Sequence, residues 1–321
     1  MSENFPWLLG REGGKVAAID CGTNSIRLLI GHMESGSFVD DMRTMEIVRL
    51  GEGVDRTGYL SEAAITRTAN QAKEYAQICR EAGVNRLRFV ATSASRDAHN
   101  RDDFRAAIKD AVGIEPEVVE GNEEAGLSFT GAVSSLHEAE NPVMVIDIGG
   151  GSTEFVTGSA EAGVLGAISM NMGSVRVTEK FPEIAAPNPD TSRAVAWIDS
   201  LIDKAAAAVP FTQVNSLVGV AGTVTTITCH ALGLKKWDPE AVHASRFSLQ
   251  QMVDSCDYMI NASVDELARL PYMPAGREDV ISGGALIWRQ IVCRAASDNP
   301  KLRGNWVSEH DILDGIALSI I

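Results

Sequence analysis

The sequence predicts an α/β protein assembled from two similar halves, each built on a β-hairpin with a Gly-rich turn. Three observations lead there: the length, an internal repeat, and the order of strand-like and helix-like stretches. At 321 residues, with 45% hydrophobic and 22% charged residues, the chain exceeds one ordinary small core and has the balance of a folded enzyme. Two domains are therefore expected.

The repeat is the most informative of the three. One segment reads Val16-Ala-Ala-Ile-Asp20-Cys-Gly22-Thr-Asn24-Ser25-Ile-Arg27-Leu-Leu-Ile-Gly31, the other Met144-Val-Ile-Asp147-Ile-Gly149-Gly150-Gly151-Ser152-Thr-Glu154-Phe-Val-Thr-Gly158. Aligning Asp20 with Asp147 also aligns Ile19 with Ile146, Gly22 with Gly149, Ser25 with Ser152 and Gly31 with Gly158. Each is an apolar strand, an acidic residue, a Gly-rich turn and a second apolar strand, the signature of a hairpin. Glycine lets backbone N–H groups come close to an anion. The Asp ending each first strand would repel phosphate and suits a divalent cation, or water on that cation. One copy alone reads as a plain Asp-Gly hairpin. Two copies with matching Asp, Gly and Ser favour two phosphate-binding turns facing one another across a cleft.

Further elements follow in order. Ser61 to Ala82 has a helical pattern, with Ser61 as N-cap and Gly83 as the stop. Leu87–Ala91 reads as a strand leading into Thr92-Ser-Ala-Ser-Arg96-Asp-Ala98, whose hydroxyls and Arg96 could take a phosphate oxygen or simply cap a helix. Val118–Val119 precedes Glu120-Gly-Asn-Glu123-Glu124-Ala125, the opening of a helix toward Val133. Its carboxylates are ordinary first-turn residues unless one faces a site, and spacing does not say which. Leu217 to Val220 is a strand entering Ala221-Gly222-Thr223 and a helix. Leu249–Asn261, Val264–Leu270, Arg277–Ala295 and His310–Ile321 read as helices, completing an α/β class with two sheets.

A net charge of −15 argues against a general nucleic-acid binder, while a phosphorylated ligand would need a local basic cluster or backbone amides. Met1 to Gly10 lacks the pattern of a secretory signal. The apolar runs Val16–Ile19 and Val143–Ile148 fall far short of the roughly 20 residues a bilayer requires, so no membrane partner is expected. Cys21, Cys79, Cys229, Cys256 and Cys293 are widely spaced and read as reduced thiols of a cytoplasmic protein, Cys21 as a small buried residue. His32, His99, His137, His230, His243 and His310 show no ligand-like pairing and read as structural or surface residues. There is no Gly-Lys-Ser/Thr loop and no Gly-x-Ser-x-Gly elbow.

Asp20-Cys-Gly-Thr-Asn-Ser-Ile-Arg27, Ala91-Thr-Ser-Ala-Ser-Arg-Asp97, Gly121-Asn-Glu-Glu-Ala125, Asp147-Ile-Gly-Gly-Gly-Ser-Thr-Glu154, Asn171-Met-Gly-Ser-Val-Arg176 and Ala221-Gly-Thr-Val-Thr-Thr226 occur in that order. Together they resemble the exopolyphosphatase/guanosine pentaphosphate phosphohydrolase (Ppx/GppA) family. Arg277 to Gly284 and Val307 to Gly315 extend the likeness almost to the C-terminus.

The resemblance implies an actin-like ATPase fold of two ribonuclease-H-like domains with the site in the cleft between them. In the family's short form these would be residues 1–135 plus 306–321, and residues 136–305. It further implies water attack on a terminal phosphorus with Glu124 as base and Mg²⁺ associated with Asp147 and Glu154. Asn24, Arg27, Arg96, Gly149, Gly150, Ser152, Gly222 and Thr223 match positions lining the phosphate site. Two positions depart from the family pattern: Gly126 stands where Arg is frequent, and Leu313-Asp314-Gly315 where Arg-Glu-Gly is common. Arg176 and Arg277 read equally as contacts to a distal chain or nucleotide and as ion-pair partners.

The expected activity is release of orthophosphate from inorganic polyphosphate, with short chains preferred. One rival is removal of the 5′-γ-phosphate from guanosine pentaphosphate, the chemistry of a stringent response. Another is non-catalytic binding of guanosine penta- or tetraphosphate, and a sugar or acid kinase ranks last. A homodimer is the family's implication for assembly.

Overall fold

In the computed structural model, residues 7, 14–136, 138–302 and 304–321 are described; His137 and all of Met1–Gly10 except Trp7 lie outside them. Each predicted hairpin supplies the first two strands, in chain order, of its sheet. Strands β1 (Lys15–Cys21), β2 (Ser25–Glu34) and β3 (Ser37–Ile47) make an antiparallel meander, and β4 (Val84–Ala91) and β5 (Glu117–Val118) add in parallel, in the order β3-β2-β1-β4-β5. The second sheet repeats the scheme. β6 (Val143–Ile148), β7 (Thr153–Ser159) and β8 (Gly163–Met170) form the meander, with β9 (Ser216–Val220) and β11 (Asn305–Val307) parallel to β6. Its order is β10-β11-β9-β6-β7-β8, with the short β10 (Arg246–Phe247) as an extra antiparallel edge. Two meanders continued by parallel strands are the ribonuclease-H-like pattern, duplicated as in the actin-like fold.

The central strands β1 and β6 are apolar over Val16–Ile19 and Val143–Ile146 because both sheet faces are covered; all six residues of β6, Asp147 included, are buried. The registers show how far the duplication runs. Val16 pairs with Gly31 and Asp20 with Arg27 in the first hairpin, and Val143 pairs with Gly158 and Asp147 with Glu154 in the second. The alignment read from the sequence is thus realised residue for residue. Gly31 and Gly158 each lie at a register shift against the third strand. A Cβ on Gly31 would collide with Phe38 and the Val39 carbonyl, and one on Gly158 with the Gly163 carbonyl and Phe129. Both glycines are therefore places of close backbone approach at a bulge.

The chain divides into two compact units, Met1–Leu127 with Ile312–Ile321 and Ser128–Asp311, the division falling inside the Gly121–Ser134 helix. The return to the first unit begins at Ile312, later than the expected residue 306, because residues 305–307 pair with β9 in the second sheet.

In the first unit, the Glu62–Ala82 helix is capped by the Ser61 hydroxyl, which accepts from the Ala64 amide, and ends at the left-handed Gly83 (φ 73°). It presents Ala64, Ala72, Tyr75, Ala76 and Cys79 to a core with Ile19, Leu28, Phe89 and Phe104. A separate cluster on the same unit joins Ala18, Leu29, Val90 and Val119 to Ile312, Leu313, Ile316 and Ala317. The core of the second unit gathers Ile146, Phe155, Leu217 and Val224 with Ile281, Ile287 and Trp288 of the Ile281–Asp298 helix.

Candidate functional site

In the first unit, β1 delivers Asp20 to the mouth of the turn and β2 carries Arg27 to the cross-strand position opposite it. Arg27 donates from Nε and Nη2 to the Asp20 carboxylate, at 2.9 and 2.7 Å. The turn is closed by Gly22 N–H donating to the Ser25 carbonyl at 2.9 Å. The loop leaving β3 wraps it from outside. The amides of Val48 and Arg49 donate to the Asn24 carbonyl, and the Gly51 amide to that of Thr23. Arg49 adopts a left-handed φ of 47° to do so, a costly conformation for a side chain of its size. Gly51 has no room for a Cβ against Thr23 and Ala94.

Beyond β4, the Thr92–Ala98 segment forms the short Ser93–Asp97 helix. The Ser93 hydroxyl meets that of Thr23 at 2.9 Å. From the same helix Arg96 reaches the Val119 carbonyl (2.9 Å) and the carboxylate of Glu124 (3.0 Å). Glu124 is buried, at 7% exposure. Its neighbour Glu123 is instead half-exposed and paired with Arg88 at 2.8 Å. The ambiguity of adjacent carboxylates at a helix start is resolved by their partners: Glu123 ties down a surface arginine, and Glu124 turns inward to Arg96.

In the second unit the same hairpin carries a different pair. Asp147 and Glu154 are direct cross-strand partners, at 6% and 1% exposure. The Ser128 hydroxyl donates to Asp147 at 2.5 Å and the Ser169 hydroxyl to Glu154 at 2.6 Å. Directly opposed like charges are unfavourable, and a divalent cation would offset them. Gly149 N–H closes the turn on the Ser152 carbonyl at 3.0 Å, as in the first hairpin.

After β8, the Asn171–Arg176 segment comes back over this turn. Ser174 N–H donates to the Gly149 carbonyl (2.9 Å), and Val175 and Arg176 N–H donate to that of Gly150 (2.9 and 3.2 Å). Arg176 Nε donates to the Gly151 carbonyl at 2.8 Å. Gly173 is glycine because a Cβ would strike the Gly150 carbonyl. Beyond β9, the Ala221–Ala231 helix starts at a left-handed Ala221 (φ 67°). Arg277 lies on Gly222, donating to its carbonyl (3.2 Å) and to the Thr226 hydroxyl (2.9 Å). A Cβ on Gly222 would collide with that guanidinium, and Thr223 beside it is buried. Both Arg176 and Arg277 thus grip carbonyls of candidate phosphate turns, a role that neither sequence reading gave them.

Among the expected site residues, Asn24, Arg27, Arg96 and Glu124 belong to the first unit, and Gly149, Gly150, Ser152, Asp147, Glu154, Gly222 and Thr223 to the second. The two departures from the family pattern have clear settings. Gly126 faces open space where a longer side chain would fit. Asp314 is buried and doubly held by Arg43, at 3.1 and 2.5 Å, while a Cβ on Gly315 would collide with the Leu127 carbonyl. All five cysteines are free thiols, Cys21 buried with its thiol pushed upward by burial and then by Asp20. The His243 and His310 rings meet edge-on at 4.8 Å. Among the described residues, no group of three or more His, Cys, Asp or Glu could hold a metal ion, and no helix is long and apolar enough to cross a membrane.

The Ppx/GppA phosphatase family matches residues 29–319. Exopolyphosphatase 2 of Mycobacterium tuberculosis (strain ATCC 25618 / H37Rv) is 41% identical over 316 residues, spanning 95% of this chain and 98% of that protein. A bifunctional 3-dehydroquinate synthase/phosphatase of Fusobacterium nucleatum is 35% identical over 86% of this chain and 43% of its own length. Among solved structures, an exopolyphosphatase-like protein superposes with a TM-score of 0.90 at 38% identity, covering 96% of this chain and 98% of that one. The Aquifex aeolicus Ppx/GppA family member does so at 0.77 and 30%, covering 95% and 96%. The chain belongs to the Ppx/GppA phosphatase family.

Proposed function

We propose that the protein is an exopolyphosphatase that removes terminal orthophosphate from inorganic polyphosphate and prefers short chains. The observation that carries this reading is the full-length likeness to a protein named exopolyphosphatase 2. In the proposed reaction a water oxygen attacks the terminal phosphorus and gives its proton to Glu124. The bridging P–O bond breaks, and the shortened chain leaves with the bridging oxygen. The burial of Glu124 and its pairing with Arg96 support the role, since a base must be oriented and kept from bulk water.

Asp147 and Glu154 are proposed to hold Mg²⁺. The donor chemistry fits, because Mg²⁺ takes hard oxygen ligands and is held by one or two carboxylates together with water and substrate phosphate. When bound, the ion would offset the negative charge of the phosphate oxygens. Asn24, Arg27 and Arg96 in the first unit, and Gly149, Gly150, Ser152, Gly222 and Thr223 in the second, are the proposed phosphate contacts. Free thiols throughout suit a reducing, cytoplasmic compartment; a homodimer, the family's implication, is checked by light scattering.

The test is phosphate release by wild type and Glu124→Gln with short polyphosphate, long polyphosphate and guanosine pentaphosphate, each with Mg²⁺. Short polyphosphate should be the best substrate, and the variant should lose about a thousandfold in rate. Wild type that releases nothing from polyphosphate of any length would sink the activity. A clear preference for guanosine pentaphosphate would move the substrate to the alarmone, and tight alarmone binding without turnover would make the protein a regulator.

A further inference from the structure

We infer that Arg176 is a positioning residue that sets the direction of the Gly149–Ser152 amides, acting through the turn's carbonyls rather than by touching phosphate. The inference rests on the proposed phosphate role of that turn. A peptide plane has its N–H and C=O on opposite sides, so fixing a carbonyl also fixes the direction of the next residue's amide. Three consecutive carbonyls, those of Gly149, Gly150 and Gly151, are held by the 174–176 segment. The amides whose direction they set are those of Gly150, Gly151 and Ser152.

Backbone N–H groups converging in such a turn make an anion-binding concavity, and no protein acceptor is seen for the Gly150 and Gly151 amides among the described residues. The first two carbonyls are held by backbone amides. The third depends on one side-chain atom, Arg176 Nε at 2.8 Å, in the planar fork that lysine lacks. Gly173 lets the segment lie close against the turn, since any Cβ there would strike Gly150 and the Gly151 amide nitrogen.

The experiment compares Arg176→Met, Arg176→Lys and Gly173→Ala with wild type, reading kcat and KM on short polyphosphate with Mg²⁺ and amide hydrogen exchange across 149–152. Amides pre-aimed at charge that grows in the transition state act on kcat. All three variants should therefore lose about a hundredfold in kcat with KM little changed, and exchange in the turn should accelerate. A raised KM at unchanged kcat in Arg176→Met would make Arg176 a direct substrate contact and overturn the inference. Unaltered kinetics and exchange would overturn it as well.

Gly173→Ala disturbs the turn while keeping the arginine, so its kcat decides the matter if Arg176→Met fails to fold. The exchange readout needs no turnover. Accelerated exchange in a protein inactive on polyphosphate would therefore uphold the positioning role and reject only the proposed reaction.

Discussion

The two hairpins share strand pairing, turn closure, bulge glycine and a wrapping segment that follows the third strand, yet they differ in one cross-strand position. Opposite Asp20 stands Arg27, within hydrogen-bonding distance; opposite Asp147 stands Glu154. In the first unit the carboxylate is neutralised by its own chain. In the second, two buried carboxylates share a register position, and serine hydroxyls rather than a cationic side chain donate to them, Ser128 to Asp147 and Ser169 to Glu154. A duplicated scaffold has been given opposite electrostatic tasks by a single side chain.

That contrast is sharpest in stability measured in a chelator. Arg27→Met removes the partner of a buried carboxylate and should cost about 3 kcal/mol, whereas Glu154→Gln relieves repulsion and should raise the melting temperature without metal. Glu154→Gln should also lose the stabilisation that wild type gains from added Mg²⁺. Equal signs for the two variants would break the comparison. A smaller effect is expected at the bulges. Gly31→Ala and Gly158→Ala should each destabilise by about 1–3 kcal/mol in denaturant melts. Gly158 should be the more sensitive, since its Cβ would come within 2.2 Å of the Gly163 carbonyl oxygen, against 2.5 Å between a Cβ on Gly31 and that of Val39.

The smallest stability effects belong to the turn glycines. A Cβ on Gly22 would meet only the Ser25 carbonyl at 3.6 Å, and one on Gly149 the Ser152 carbonyl at 3.3 Å. Gly22 is at ordinary contact distance and Gly149 slightly tighter, so Gly22→Ala should stay within about 0.5 kcal/mol of wild type. If the turns receive phosphate, both alanine variants should nevertheless raise KM for polyphosphate. Stability and KM both unmoved would mean that no ligand approaches there.

The hairpins were legible because an apolar strand ending in Asp-x-Gly is a local signal, and its recurrence with the same spacing removes most alternatives. The helix capped by Ser61 and stopped by Gly83 was legible for the same reason. The third strands were not. β3 runs Ser-Phe-Val-Asp-Asp-Met-Arg-Thr-Met-Glu-Ile at a sheet edge, too polar to stand out, and β8 carries two glycines. The helices Arg101–Val112 and Ser192–Ala208 also escaped, although their apolar spacing was available.

At the site, the residue types were visible but their partners were not. Glu123 and Glu124 are neighbours in sequence, and only packing turns one toward Arg88 and the other toward Arg96. Asn171–Arg176 stood among the motifs, but its wrapping role, like that of the segment after β3, was not legible because each acts mainly through backbone amides, which any residue possesses. The surviving hint was glycine at Gly51, Gly53 and Gly173, where the chain has no room or needs a positive φ.

The Ile312–Leu318 helix supplies Ile312, Leu313, Ile316 and Ala317 to a cluster whose other members, Ala18, Leu29, Val90 and Val119, lie in the first sheet or just after it. A ribosome making this chain therefore produces the whole second unit before this cluster, separate from the main core of the first unit, can close. Since domains assemble as they emerge, the nascent first unit must wait with an apolar sheet face uncovered, a natural substrate for chaperones. That face of the first unit is thereby covered only once the Ile312–Leu318 helix has been made.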